Sequence, residues 1–248
     1  MPKFFVPKEN IKDDKIYITS EDVAHIKKVL RLGVGDMLSL CDGAGNDFLA
    51  KISQIYDKEI ICEIFSRKKS DTEPNISVTL IQGIPKGSKM EYIIQKTTEL
   101  GIEKIIPCKM SRCVSKIENQ KDEMKKNQRW QKISEEASKQ SGRGIIPKIE
   151  NSATLKEVIE LVKDFDIVFA PYECEEENKL KDVLKAYKSP KKVAFIIGPE
   201  GGFDLEEIQL LKEAKIKTVT LGKRILRTET AGEAVLSMIM YEIGDINL

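Results

Sequence analysis

Residues 193–203 read VAFIIGPEGGF, and this stretch decides the fold class of the 248-residue chain. Its first five residues form the apolar run of a short buried strand, and a loop with three glycines follows. Similar runs rich in Ile, Val or Leu occur at 77–82, 104–108, 167–170 and 218–221. Segments with helical spacing of apolar residues separate them. This alternation predicts an α/β fold with a largely parallel sheet covered on both faces.

Ligands of such sheets bind beyond the carboxyl ends of the strands, so the loops at those ends are the candidate sites. In the first loop, residues 198–203, the glycines allow the backbone to approach a ligand closely. Their spacing is neither that of a P-loop nor that of a dinucleotide-binding fingerprint. A structural turn and a ligand loop are both compatible with the glycines alone. Asp204 and Glu207 then have the spacing of a helix capping box.

The second loop, residues 222–232, reads GKRILRTETAG and follows the strand predicted at 218–221. Thr230 and Glu233 have capping-box spacing, which predicts that a helix begins there. The polar run at 227–230 is longer than a cap requires. A ligand-binding role therefore competes with simple capping.

Residues 1–70 form a different region, with short strands separated by turns, which predicts a small β-barrel or sandwich. One helix interrupts it, with Ser20 as a possible cap and with Val23, Ile26 and Val29 at helical spacing. Residues 67–75 are polar and end near a proline, so we expect a linker there. Two domains follow, at 1–72 and 73–248.

The net charge of +1 conceals a basic segment, because residues 82–148 carry 15 Lys and Arg against 8 Asp and Glu. Such a segment attracts phosphates without sequence preference. The alternative is an exposed helix face.

Several classes of protein and site are excluded. The longest apolar run has five residues, far below the roughly 20 of a membrane-spanning helix, and the N-terminus lacks a secretory signal, so we expect a cytoplasmic protein without a membrane partner. Five scattered cysteines without a CxxC pair indicate free thiols and no zinc site. His25 is the single histidine, which argues against Ser–His–Asp and Cys–His catalysis and against a metal site built from histidines.

The two loops, at 197–203 and 221–231, resemble the RsmE-type methyltransferases, which methylate N3 of a uridine in small-subunit (16S) ribosomal RNA. GPEGG followed about 25 residues later by LRTETA is a specific combination. Supporting matches lie at 29–36, 89–101 and 136–143. They occur in the family's order and extend the resemblance over nearly the whole chain.

The resemblance implies a PUA-like β-barrel for RNA binding at 1–72 and a SPOUT-type α/β domain at 73–248 whose C-terminal part forms a trefoil knot. It also implies a homodimer that binds S-adenosylmethionine at the knot and needs no metal. The residues it assigns to the cofactor are Ala170, Pro171, Ile197, Gly198, Pro199, Glu200, Gly201, Gly202, Leu221, Gly222, Arg224, Ile225, Leu226, Arg227, Thr228, Thr230 and Ala231.

Methylation at N3 requires loss of the imide proton and spreads negative charge over the uracil oxygens, so a fixed cation should stabilise the transition state. Arg227 in the second loop is the candidate for that cation. Glu229 or Glu200 is the candidate proton acceptor, although either carboxylate could instead hold backbone amides or cap a helix.

Within an RNA-modifying protein the basic residues become candidate phosphate contacts. The family often has arginine near the N-terminus where this chain has lysine, which loses bidentate phosphate recognition. The predicted RNA-binding residues are Lys3, Arg31, Lys86, Lys89, Arg112, Lys116 and Arg143.

Two other functions remain open at this point. A SPOUT ribose 2′-O-methyltransferase would share the fold and cofactor but attack a sugar hydroxyl. A non-catalytic RNA-binding protein would keep the fold without the chemistry. The LRTETA string and the N-terminal barrel argue against the first, and the polar residues in both loops argue against the second.

Overall fold

A computed structural model describes residues 3–19, 21–115, 117 and 119–246. The predicted cap Ser20 lies outside the described residues. The chain divides into two units, one formed by Met1–Glu73 with Ser138–Ile146 and the other by Pro74–Ala137 with Pro147–Leu248. The sequence interpretation, which placed 73–248 in a single domain, did not anticipate that Ser138–Ile146 packs with the first unit.

The first unit contains one six-stranded sheet with the order β1-β4-β5-β6-β3-β2. Its strands are β1 (Lys3–Phe5), β2 (Ile11–Lys12), β3 (Lys15–Ile18), β4 (Met37–Cys41), β5 (Asn46–Ile55) and β6 (Ile60–Lys69). The pairing of β1 with β4 is parallel and the other pairings are antiparallel. Apolar side chains from alternate positions, such as Leu38 and Leu40, form the core of this unit.

The predicted helix of this unit exists as a short α1 (Asp22–Ala24) followed by a π-helix, His25–Val29, while a 3-10 turn covers Lys8–Asn10. Leu30 N–H donates to His25 O, five residues earlier, at 3.0 Å. This wider turn rotates the later residues, so Ile26 is buried but Val29 is 66% exposed. The prediction that Val29 lies on the apolar face was therefore wrong.

Most of the predicted linker at 67–75 belongs to the structure of the first unit. β6 continues to Lys69, and Glu73 binds the segment 138–146. The Glu73 carboxylate accepts hydrogen bonds from the Arg143 guanidinium at 2.6 and 3.2 Å and from the amides of Gly144 and Ile145 at 2.7 and 3.1 Å. Polarity suggested a linker, but these carboxylate contacts make Glu73 an internal anchor.

The second unit contains seven parallel strands with the order β10-β8-β7-β12-β11-β13, and β9 also pairs with β8. Its strands are β7 (Ser77–Gly83), β8 (Lys104–Lys109), β9 (Lys148–Ile149), β10 (Ala153–Thr154), β11 (Ile167–Pro171), β12 (Lys192–Ile197) and β13 (Lys217–Val219). The helices are α2 (Lys89–Glu99), α3 (Gln120–Ser141), α4 (Leu155–Leu161), α5 (Leu180–Lys185), α6 (Leu205–Glu213) and α7 (Thr228–Glu242). The α/β class and the parallel sheet are confirmed.

Both faces of this sheet are buried, because alternate side chains of the same strand enter two separate apolar clusters. Phe195 of β12 stacks on Phe169 of β11 with ring centroids 6.2 Å apart, in the cluster that contains residues of α2, α5 and α7. Ile196 points to the opposite face and joins the cluster with residues of α4 and α6. In the part of the chain that the structure describes, no helix is long and apolar enough to cross a membrane.

We expect Glu73→Gln to destabilise the first unit by about 3 kcal/mol at pH 7, because it leaves the Arg143 charge without its counterion. Burial opposes ionisation of Glu73, but the Arg143 guanidinium and the two amides outweigh it and hold the pKa of this carboxyl below its ordinary 4.5. Its stabilising effect is therefore complete above pH 4.5 and disappears as pH falls through the lowered value. Urea unfolding of both proteins across this range measures the effect.

Glu160→Gln is the matched control, since Glu160 pairs with Lys163 while both side chains are more than 60% exposed. It should change the unfolding free energy by no more than about 0.5 kcal/mol. Equal unfolding free energies for Glu73→Gln and wild type at pH 7 would contradict the anchoring role.

Candidate functional site

The two motif loops meet because the strands before them are neighbours of the same strand. β12 and β13 both pair with β11 in parallel register. Parallel strands place their carboxyl ends at one edge of the sheet, so the segments after β11, β12 and β13 converge there. The predicted strand at 218–221 ends at Val219, which leaves Thr220 and Leu221 for the loop.

A cavity of about 460 Å³ lies at this edge. It is lined by Lys89, Pro171, Tyr172, Glu173, Ile197, Gly198, Pro199, Glu200, Gly201, Gly202, Phe203, Thr220, Leu221, Gly222, Arg224, Ile225, Leu226, Arg227, Thr228 and Ala231. All the residues assigned to the cofactor line it except Ala170 and Thr230. Ala170 is buried in the sheet, and Thr230 is exposed within the first turn of α7.

Some lining residues were not predicted for this pocket. Tyr172 and Glu173 follow the end of β11, Phe203 closes the first loop and Thr220 opens the second. Tyr172 and Glu173 directly follow β11, and Thr220 directly follows β13. Their positions after strand ends were the signal in the sequence that could have assigned them to the pocket.

Other segments of the chain pack closely against the first loop, and glycines at the contacts avoid steric clashes. Gly202 has a φ of +68°, and a Cβ there would lie 2.7 Å from a carboxylate oxygen of Glu173. The Gly202 N–H donates to Pro199 O at 3.0 Å, which makes the turn tight. On the other side, a Cβ on Gly83 at the end of β7 would lie 2.6 Å from Pro199 N. The backbone of Pro199 therefore leaves no space for a Cβ at Gly83.

The first loop leads into α6 as predicted, because Asp204 and Glu207 form a capping box. The Asp204 side chain accepts from Glu206 N–H at 3.1 Å, and Glu207 accepts from Asp204 N–H at 2.8 Å. Glu207 also accepts from Ser111 N–H at 2.8 Å, so it holds the segment after β8 near the same edge of the sheet.

The second loop ends earlier than predicted. α7 begins at Thr228 with Arg227 as its N-cap, so the proposed capping box of Thr230 and Glu233 is wrong. The Thr228 side chain is occupied inside the protein: its hydroxyl donates to Gly198 O at 2.7 Å and accepts from Gln82 Nε2 at 2.9 Å. Tertiary contacts of Thr228 thus override the local capping signal, and they tie the two loops together.

Lys89 lies between the two candidate catalytic carboxylates. Its ammonium is 3.0 Å from Glu200 and 3.4 Å from Glu229. The Glu200 carboxylate also accepts from Lys86 N–H at 3.0 Å. Burial opposes ionisation of Glu200, but nearby amides and Lys89 outweigh it and lower the pKa of Glu200. The Glu200 bond in turn raises the pKa of Lys89, so these two groups are held in their charged forms.

The predicted RNA-binding residues fall into distinct environments. Arg31, Lys86 and Arg112 are exposed, while Lys89 lines the cavity. Arg112 donates to Gly201 O at 3.0 Å, which places it against the first loop. Lys116 lies outside the described residues.

Lys3 and Arg143 instead serve the interior of the first unit. Lys3 binds Asp47 and Gly142 O, each at 3.0 Å, and its side chain is 13% exposed. Arg143 is 4% exposed and binds Glu73. A buried guanidinium engaged by a carboxylate does not present its donors to phosphate, so the structure argues against an RNA contact at Arg143.

The five cysteines are free thiols, as predicted. Among the described side chains, His, Cys, Asp and Glu nowhere form a group of three or more that could hold a metal ion. The charged side chains that line the cavity are those of Lys89, Glu173, Glu200, Arg224 and Arg227.

We expect Gly83→Ala to destabilise the protein by about 1–3 kcal/mol, because its new methyl group must displace the backbone at Pro199. Gly33→Ala is the control, since the nearest atom to a Cβ there is 4.0 Å away. Thermal unfolding of both variants measures the difference. Equal transition temperatures for the two would show that the first loop is not tightly packed against β7.

Family models match both parts of the chain. Residues 72–240 match an RNA methyltransferase domain, and residues 18–65 match an RNA methyltransferase PUA domain. The chain is 34% identical to ribosomal RNA small subunit methyltransferase E of Bacillus subtilis, with 98% of this chain and 97% of that protein covered. It is 32% identical to the protein of the same name from Buchnera aphidicola, with 97% and 95% covered.

Solved structures match along the full length. A ribosomal RNA small subunit methyltransferase E from Neisseria gonorrhoeae bound to S-adenosyl methionine has a TM-score of 0.84 at 30% identity and covers 99% of both chains. A methyltransferase described as putative, from Legionella pneumophila, in complex with the same cofactor, has a TM-score of 0.85 at 31% identity and also covers 99% of both.

Proposed function

The chain belongs to the ribosomal RNA small subunit methyltransferase E family, as its motifs predicted, and on this premise we propose that it transfers a methyl group from S-adenosylmethionine to small-subunit ribosomal RNA. We further propose N3 of a uridine as the acceptor atom. The first proposal follows from the family, and the second is what the resemblance of the two loops to uridine-N3 methyltransferases implies.

The cavity at the ends of β11, β12 and β13 carries the proposal. Its 460 Å³ lies within the range of roughly 300–1,000 Å³ of small-molecule sites. Its walls suit the proposed cofactor: Ile197, Leu221 and Leu226 offer apolar surface for a base. The carboxylates of Glu173 and Glu200 complement a sulfonium cation, which is the group that donates the methyl when the cofactor is bound.

The reaction itself needs positioning and charge stabilisation from the protein. Arg227 is exposed at the cavity and stands at the start of α7, where it can face a base that enters from solvent. Its guanidinium is the proposed partner of the negative charge on the uracil oxygens. No other arginine in the two loops stands directly at a helix start among the described residues.

The two candidate proton acceptors are better assigned to positioning. Glu200 lines the cavity, but it is bound to Lys89 and Lys86 N–H and its pKa is lowered, which makes it a weak base. Glu229 pairs with Lys89 and is not among the residues that line the cavity. We propose that both carboxylates hold Lys89 and the start of α2, and that the imide proton leaves to solvent.

The first unit is the proposed RNA-binding module, supported by the PUA match at 18–65. Among the predicted RNA-binding residues, Arg31 of the first unit and Lys86 of the second are exposed and are the proposed phosphate contacts, while Arg112 is held against the first loop by its bond to Gly201 O. The trefoil knot and the homodimer implied by the resemblance, and the cytoplasmic location expected from the N-terminal sequence, remain predictions.

The test is transfer of labelled methyl from S-adenosylmethionine to small-subunit RNA, presented both naked and as assembled subunits, with identification of the modified nucleoside. Incorporation as 3-methyluridine is the expected result. Incorporation at a ribose 2′-oxygen would establish the alternative enzyme. Absence of both transfer and cofactor binding would favour a non-catalytic RNA-binding protein.

We expect Arg227→Ala to lower methyl transfer by about 10²-fold or more, the usual effect of removing a group that stabilises developing charge. Lys223→Ala is the control, because Lys223 is exposed in the same loop and does not line the cavity. Single-turnover transfer rates with circular dichroism as a fold check distinguish the two. A rate for Arg227→Ala close to that of Lys223→Ala would exclude the proposed role.

Glu200→Gln should retain methyl transfer within about tenfold of wild type, and the pH dependence of its rate should be unchanged, because the amide still accepts from Lys86 N–H. Glu229→Gln, measured in parallel, should behave in the same way. Loss of the acidic limb of the pH–rate profile in either variant would identify that glutamate as the proton acceptor and overturn the positioning assignment.

A further inference from the structure

Gln82 is a polar residue at a position where this fold places apolar ones. It lies on the central strand β7, in register with Ile197 of β12, and follows Val78 and Leu80 on the same face. Its side chain is fully buried. An amide in such a place is unfavourable unless it is hydrogen-bonded, so its contacts should explain why it is there.

The amide of Gln82 donates twice, to Thr228 Oγ1 and to Gly83 O, each at 2.9 Å. Its Oε1 is buried and has no hydrogen-bond partner in the described structure. The opposite amide orientation would bring Oε1 against the Gly83 carbonyl, two acceptors facing each other. Gln82 thus makes two donor contacts but has one unsatisfied acceptor. Because a buried unsatisfied acceptor costs free energy, stability alone does not explain an amide at this position.

The direction of these bonds decides what Thr228 does. A hydroxyl has a single hydrogen, and because it accepts from Gln82, that hydrogen is available for Gly198 O, where it donates at 2.7 Å. Gly198 is the first residue of the first loop, and Thr228 follows the last residue of the second. The bond from Thr228 to Gly198 therefore joins both walls of the cavity directly, and Gln82, which is part of neither wall, donates to the hydroxyl that makes it.

We propose that Gln82 is a positioning residue for the cofactor pocket: it sets the direction of the Thr228 hydroxyl, which holds the two loops in the arrangement that binds ligand. The inference rests on the proposed function. When hydrogen bonds already hold the two loops together, less conformational entropy is lost on cofactor binding. We therefore expect the affinity for the cofactor to depend on Gln82, and the affinity for RNA not to depend on it.

Gln82→Glu and Gln82→Met test this in opposite ways. A carboxyl group has at most one hydrogen, so it cannot make both donor contacts of the amide, and in its ionised form it only accepts, which reverses the Thr228 hydroxyl and releases Gly198 O. Methionine removes the unsatisfied oxygen and packs as an apolar residue. We expect cofactor affinity to fall about tenfold or more in Gln82→Glu and several-fold in Gln82→Met, while the apparent KM for RNA stays within about twofold.

The methionine variant separates positioning from packing. If Gln82 were only a core residue, Gln82→Met would be as stable as wild type or more stable and would bind S-adenosylmethionine equally well. The proposal expects undiminished stability of the unliganded protein together with weaker binding. Calorimetric titration with S-adenosylmethionine and thermal unfolding without ligand give the two readouts.

A second pair covers the case in which Gln82→Glu does not fold. Thr228→Val, which lacks the hydroxyl, should bind the cofactor about tenfold more weakly than Thr228→Ser, which keeps it. Thr97→Val is the matched control, since the Thr97 hydroxyl is buried in α2 and donates to Ile93 O at 2.7 Å, with no contact to the loops. It should lose stability but not affinity.

Wild-type binding separates this inference from the function on which it rests. If the wild-type protein does not bind S-adenosylmethionine, the proposed function fails and the inference fails with it. If wild type binds and Gln82→Met and Thr228→Val bind equally tightly, only the positioning role is overturned.

Discussion

Parallel pairing of three strands is the constraint on which the functional part of this protein depends. β11 pairs with both β12 and β13 in parallel, and all three carboxyl ends therefore meet at one edge of the sheet. Two loops about 25 residues apart in sequence become the walls of one cavity for this reason alone. The apolar clusters on both faces stabilise the sheet that keeps these ends together.

Inside that frame, side chains with charge or hydrogen-bonding capacity are mostly used by the protein itself. Lys89 binds two carboxylates at the cavity, Arg112 binds a loop carbonyl, and Glu73 binds Arg143 in the first unit. Charged side chains without such partners would be available for catalysis or for binding phosphate. Residues already paired instead determine the shape and charge of the surfaces around them, whereas Arg227 is one of the exposed cations of the second loop.

The fold class and most of the pocket could be predicted from the chain, because strand periodicity and glycine loops are local signals. GPEGG at 198–202 and LRTETA at 226–231 contain nine of the fifteen residues assigned to the cofactor that line the cavity, and most of the others directly precede these strings. The predictions that failed share one cause. Val29 and Thr230 were assigned from local patterns, but a π-turn and the contacts of Thr228 decide them.

The amino-acid sequence by itself determined the parallel α/β class, the identity of the two loops and the family, since each is a matter of spacing along the chain. Only the tertiary structure decided that Tyr172, Glu173 and Lys89 belong to the same cavity. It also decided that Gln82 donates to the Thr228 hydroxyl, which bonds to Gly198 across the cavity. It also decided that Lys3 and Arg143 are interior residues. The physical reason is that a partner distant in sequence, not the residue type, determines whether a polar side chain is satisfied inside the protein or available to a ligand.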